Sequence, residues 1–182
     1  MEIPKLDREH GQSAADGDLQ DPVPPPAGAD VDSLFVHRRR LTFGDTDSAR
    51  IIYTPRVAHF VIEAIEAWYL ERLDISWLHI NRDEGFGTPI VRLEMDFISM
   101  MRPPDLLDTE VAVEKMGRSS LGFRVTGRIG TRLCYRAACV SVFASADTGR
   151  SLPIPEHYRT IIARDVALAA RAASADAAHG HT

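Results

Sequence analysis

Between Pro55 and Leu73 the chain carries a helical pattern that is apolar around most of its circumference. Val57, Phe60, Val61, Ile65, Trp68 and Leu70 alternate with alanines, and His59, Glu63 and Glu66 form one narrow polar stripe at i, i+4 and i+7. Such a helix must be enclosed by protein, and a sheet curving around it would satisfy every apolar face. The start of the helix is marked as well. Thr54 offers an N-cap hydroxyl, and the fixed φ of Pro55 suits the first helical position.

The remaining periodic segments supply that sheet. Leu34–Phe43 reads as a first strand, and Ile90–Ser99, Leu107–Met116, Leu121–Ile129 and Arg132–Ala144 follow with apolar and polar residues in alternation. Short turns such as Gly117-Arg118-Ser119-Ser120 and Gly130-Thr131 favour antiparallel hairpins. A helical turn or two is expected over Ile75–Ile80, a loop at Gly85–Pro89 and a closing helix over Pro155–Ala169. The fold class is therefore α+β, an antiparallel sheet of about five strands around one long central helix. We divide the chain into a disordered leader (1–33, rich in Asp, Gly, Pro and Ala), a folded domain (34–165) and an Ala-rich flexible tail (166–182).

Composition narrows the partners. A net charge of −5 over 182 residues gives no reason to expect nucleic acid, and Arg38-Arg39-Arg40 reads as a strand with solvated and paired arginines in alternation. Cys134 and Cys139 lie five strand residues apart, about 16 Å and on opposite faces, beyond disulfide reach. With no acidic or His partners at ligand spacing they do not form a metal site. No apolar run is long enough to span a membrane and the N-terminus lacks a signal-peptide core, so a reduced, cytoplasmic protein is expected.

The chemistry is concentrated just before the helix, in Gly44-Asp45-Thr46-Asp47-Ser48-Ala49-Arg50-Ile51-Ile52-Tyr53-Thr54-Pro55. This loop brings two carboxylates to a helix N-terminus, where unbonded N–H groups and the positive end of the dipole stabilise negative charge. Such an arrangement suits attack on a polarised carbonyl. A loop aspartate capping its own turn is the competing reading of Asp47. Asp45 reads as the structural member of the pair, accepting loop N–H groups.

The same stretch resembles the active-site loop of hot-dog fold acyl-CoA thioesterases, and is most similar to the 4-hydroxybenzoyl-CoA thioesterase type, whose loop has the form G-D-x-D-x-x-G-I-V-x-x-P. Gly87-Thr88-Pro89-Ile90-Val91 and Ile154-Pro155-Glu156-His157-Tyr158 resemble two further motifs of that group. One departure is clear: the family's glycine three residues after the second aspartate is Arg50 here. The resemblance implies hydrolysis of an aromatic (4-hydroxybenzoyl-like) or medium acyl-CoA, with Asp47 as nucleophile or general base and the backbone N–H of Thr54 as oxyanion donor. It places Glu63 among the catalytic candidates, to orient water or hold the loop, with a simple His59 pair as the alternative.

Tyr53, Arg50 and Thr88 are its substrate-binding candidates, and Arg118 and Ser120 fall where the family's turn meets the coenzyme A nucleotide. It implies no bound cofactor, coenzyme A being part of the substrate, and a dimer or tetramer with sites formed between subunits. Two other readings stand beside it. Arg50 keeps open an acyl-CoA binding domain without activity, and His59 is the only helix residue that could serve a hydratase or dehydratase.

Overall fold

A computed structural model describes residues 32–179, so the expected leader falls outside the described residues but for Asp32 and Ser33. In chain order the elements are β1 (Phe35–Arg40), α1 (Thr54–Leu73), α2 (Trp77–Arg82), β2 (Phe86–Gly87), β3 (Ile90–Phe97), β4 (Leu106–Met116), β5 (Ser120–Ile129), β6 (Arg132–Val142), β7 (Ala144–Ser145) and α3 (Glu156–His179). Five strands form one antiparallel sheet in the order β1-β4-β5-β6-β3, leaving β1 and β3 at its edges. β2 and β7 pair separately as a two-residue ladder, which no periodicity in so short a segment could announce.

α1 lies against the sheet, and Phe60, Val61, Ala64, Ile65, Trp68 and Tyr69 are almost fully buried. Full burial of each large side chain contributes about 1.5–3 kcal/mol, which makes this helix the centre of the core. Trp68 meets Tyr69 and Phe123 edge to face, with ring centroids 5.0 and 5.4 Å apart. Its indole Nε1 donates to Asp165 on α3 at 2.6 Å, tying the last helix to the central one. Burial pushes the Asp165 carboxyl above the usual carboxylate range, while the Trp68 hydrogen bond and the Arg72 guanidinium work in the other direction.

One cross-strand row fixes how the sheet passes beneath the helix. His37, Thr109, Gly127, Tyr135 and Phe97 stand side by side on β1, β4, β5, β6 and β3. Tyr135 lies over Gly127 and its hydroxyl reaches Thr109 Oγ1 at 2.8 Å, two strands away. A Cβ on Gly127 would stand 2.6 Å from Tyr135 Cδ1 and closer still to Cε1 and Cζ. Glycine is needed here for the ring to fit.

Several expectations are corrected. Thr54 is the first helical residue and Tyr53 occupies the N-cap position, with no side-chain capping bond, so Thr54 does not cap α1 through its hydroxyl. Glu63 pairs with β1 rather than with His59, which is exposed. α3 continues to His179, about ten residues past the expected end and through most of the Ala-rich segment. Alanine has the highest helix propensity, and the turns anchored by Ile162, Asp165 and Leu168 give the rest of the helix a start to propagate from. Both cysteines are buried and unpaired.

Candidate active site

The acidic loop is held by bonds that its own sequence supplies. A 3-10 turn at Phe43–Asp45 follows Thr42, whose backbone N–H and hydroxyl both donate to Asp45 Oδ2 at 2.9 Å. The Asp45 carbonyl then accepts the Tyr53 N–H at 2.9 Å, closing the loop at its far end. Asp45 is 6% exposed and acts as the joint of the loop.

Asp47 sits between those fastenings, partly exposed. Its N–H donates to Ile51 O and its carbonyl accepts from Arg50, each at 3.0 Å. Its Oδ1 accepts the Ala49 N–H at 2.8 Å. The carboxylate thus caps its own turn with one oxygen, and among the described residues no hydrogen bond engages Oδ2. At the mouth of α1 the Arg56 N–H turns back onto Tyr53 O at 2.7 Å and Pro55 has none. The Thr54 N–H is unused among the described residues. It points along the positive end of a 20-residue helix, a site suited to a developing oxyanion.

Beside this mouth lies a cavity of about 190 Å³ lined by Ile51, Ile52, Thr54 and Val57 on one side and by the Phe97–Met101 segment and Cys134 on the other. The lining carries no charged side chain. Burial pushes the Cys134 thiol up, against the influence of Arg132, so it stays protonated and acts as apolar wall. The rim is apolar, since of the lining side chains Met100 is 65% exposed, Phe97 55% and Ile98 48%. A rim of that kind marks an interaction site.

Arg50 is exposed and holds φ = 60°, the left-handed region that glycine adopts without cost. The loop therefore keeps the backbone a glycine would give it, although an arginine occupies the position. An L-residue here costs about 1–2 kcal/mol. Arg50→Gly is expected to raise the unfolding midpoint by about 2–4 °C, read by thermal denaturation, with the loop hydrogen bonds unchanged.

Glu63 faces β1. Its Oε2 accepts from Arg39 at 2.5 Å and its Oε1 lies 3.3 Å from His37 Nε2. The His37 hydrogen bond and the Arg39 guanidinium hold the Glu63 carboxyl below the usual carboxylate range, while burial works against them. The alternation read from the sequence made some of Arg38-Arg39-Arg40 paired, but which of them, and with which partner, needed the fold. Arg38 does pair at the surface, with Asp108 at 2.5 and 2.8 Å, whereas Arg39 alternates inward.

The other candidates lie elsewhere in the chain. β4 leaves the loop end of the sheet at Leu106 and reaches the 117–120 turn ten residues later, about 33 Å away at strand rise. Arg118 is exposed and Ser120 half-buried there, and Arg159 donates to Gly117 O at 3.0 Å. Thr88 lies at the same far end, two residues before β3, whose seven steps from Ile90 to Phe97 span about 23 Å. It is buried and lines a second cavity, of about 280 Å³, with Trp77, Asn81, Pro89 and Ile90. Within one chain, then, Asp47, Arg50, Tyr53 and Thr54 share one end of the sheet, and Thr88, Arg118 and Ser120 the other. Among the described residues no cluster of His, Cys, Asp and Glu could hold a metal, and no helix is long and apolar enough to cross a membrane.

Comparison with known proteins identifies the family and the fold. The family model of the thioesterase-like superfamily matches residues 41–164. A solved structure from the thioesterase superfamily of Jannaschia sp. CCS1 is 40% identical, with a TM-score of 0.68 over 80% of this chain and 96% of that one. The 4-hydroxybenzoyl-CoA thioesterase of Pseudomonas sp. (strain CBS-3) is 26% identical over 129 residues, which span 66% of this chain and 92% of the relative. A 1,4-dihydroxy-2-naphthoyl-CoA thioesterase from Synechocystis, 21% identical, shares the fold with a TM-score of 0.67 over 72% of this chain and 96% of its own.

Proposed function

The chain belongs to the thioesterase-like superfamily, with the hot-dog fold, and from that premise we propose that it hydrolyses an acyl-CoA thioester to the free acid and coenzyme A at the Asp47 loop. The observation that carries the proposal is a loop in which, among the described residues, no hydrogen bond engages Asp47 Oδ2 or the Thr54 N–H, and whose helix end at Thr54 lines an apolar cavity. As general base, Asp47 removes a proton from water as the water oxygen bonds to the thioester carbon. As nucleophile, its own oxygen makes that bond, and water cleaves the resulting anhydride. In both routes the carbonyl oxygen becomes an oxyanion that the Thr54 N–H receives, the C–S bond breaks, and the thiolate of coenzyme A leaves to take up a proton.

The cavity favours a compact, uncharged acyl group. A dry cavity of about 150 Å³ accepts benzene, so about 190 Å³ suits an aromatic ring or a short branched chain. A second subunit fits the separation of the candidates. β3 is an unpaired edge with Val91 and Phe97 exposed. Antiparallel pairing of two copies along β3 would lay the Thr88 end of one beside the Phe97 end, and hence the Asp47 loop, of the other. Arg118 and Ser120 would then approach the nucleotide of coenzyme A from the partner, since a guanidinium suits phosphate oxygens. The proposed reaction needs no bound cofactor.

The test is thiol release from a panel of benzoyl-, 4-hydroxybenzoyl-, phenylacetyl- and straight-chain acyl-CoA esters. Hydrolysis of the small aromatic esters with the highest kcat/KM is the expected result. Binding by calorimetry without thiol release from any ester would leave a binding domain, and water addition to an enoyl-CoA would make it a hydratase.

A further inference from the structure

Among the described residues, Arg39 is the one side chain that links the acidic loop to both neighbouring elements. From β1 its Nη2 donates to both Asp45 oxygens at 3.2 and 3.3 Å, and its Nη1 donates to Glu63 on α1. Its guanidinium lies 4.0 Å over the Phe60 ring, also on α1. Its side chain is only 19% exposed and that of Asp45 8%, so the Arg39–Asp45 pair is shielded from solvent more than surface ion pairs are, whereas the Glu63 side chain is 45% exposed.

The bonds around Asp47 itself are all internal to the loop: Ile51, Arg50 and Ala49 fix its shape and not its position over the helix. Position is set by two connections, the Ile52 N–H on Met101 O at 3.0 Å and the Asp45 joint. Asp45 receives the start of the loop through Thr42 and its end through Tyr53, the residue before Thr54. A shift of Asp45 therefore changes the gap between the Asp47 carboxylate and the Thr54 N–H. A misplacement of about 1 Å between reacting groups costs about 100-fold in rate.

We propose that Arg39 is a positioning residue for hydrolysis, setting the Asp47–Thr54 gap by bridging Asp45 to Glu63 and Phe60, and that Glu63 serves the reaction through this bridge rather than by contact with substrate. The inference rests on the reading of the loop as a thioesterase site. The planar fork of arginine makes the bridge, since one of its two terminal nitrogens faces each carboxylate. A lysine retains the charge but, as a point donor on a single stem, cannot reach both carboxylates in that geometry.

The experiment uses the full chain and the ester it hydrolyses fastest, with Arg39→Lys, Asp45→Asn and the double variant. Arg39→Lys is expected to lower kcat about 30-fold, with KM within about 3-fold and the unfolding midpoint within about 4 °C of the parent. The double variant is expected to be no slower than the slower single variant, because both changes cut the same bridge. A kcat within about twofold of the parent, a loss carried by KM, or additive losses in the double variant would overturn the inference. Amide hydrogen exchange separates this from failure of the hydrolase reading. If the parent releases no thiol from any ester, that reading fails, while about tenfold faster exchange at Tyr53 in Arg39→Lys still supports the bridge and unchanged exchange overturns it.

Discussion

Asp47→Asn is expected to lower kcat by about 1,000-fold, a barrier increase of about 4 kcal/mol, while KM and the unfolding midpoint stay close to the parent values. The substitution is clean because of how the side chain is used. Oδ1 accepts the Ala49 N–H at 2.8 Å, and an asparagine carbonyl can keep that bond and the turn with it. What is lost is the second oxygen, which no described residue engages and which must take a proton or form a bond to carbon. An amide does neither at neutral pH. Asp47→Ala would remove the turn cap as well and would confuse chemistry with loop order. The decisive measurement is steady-state thiol release beside a thermal melt. Turnover within about tenfold of the parent would remove Asp47 from the chemistry and leave it as a turn cap.

Gly127→Ala is the second large effect, and it acts on the fold. A methyl at this position enters the Tyr135 ring, which is clamped below by β5 and at its tip by Thr109. Neither side can move freely: Gly127 pairs with both Thr109 and Tyr135 in the middle of the sheet, and Tyr135 is fully buried. Overpacking of this kind costs about 3 kcal/mol or more, which lowers the midpoint by about 10 °C for a domain of this size. The pair also gives a check on cause. In the Gly127→Ala, Tyr135→Leu double variant the ring is gone, so the combined loss is expected to be smaller than the sum of the two single losses by about 1 kcal/mol or more. Strict additivity would show that the clash is not the source. Burial pushes the Tyr135 phenol up to about 12, so this hydroxyl remains protonated at neutral pH and serves as a structural hydrogen bond.

How much of this was legible in the sequence depended on whether the signal was local. α1 was readable because its apolar residues repeat at helical spacing for five turns, and the β4–β5–β6 hairpins because short polar turns separate alternating strands. The acidic loop was readable as a motif, and its glycine-like backbone at Arg50 could have been inferred from the glycine that the resembling family carries there. The pairing of β1 with β4 across more than sixty residues was not readable, since alternation gives a strand its faces and not its neighbour. The role of Arg39 depends on that pairing, which turns it toward α1 while Arg38 and Arg40 turn outward. The Tyr135–Thr109 bond was hidden for the same reason, and so was the end of the sheet to which each candidate belongs. The continuation of α3 was missed because alanine-rich sequence without apolar periodicity was read as tail, although propensity alone favoured helix.

The two ends of the sheet also bear on inheritance. With the acidic loop at one end and Thr88 at the other, a chain that completes its neighbour's site does so with residues that its own site does not use. Under the paired arrangement proposed above, damage to one end leaves the other end serviceable to a partner. Two differently damaged copies, expressed together, would still assemble one whole site per pair.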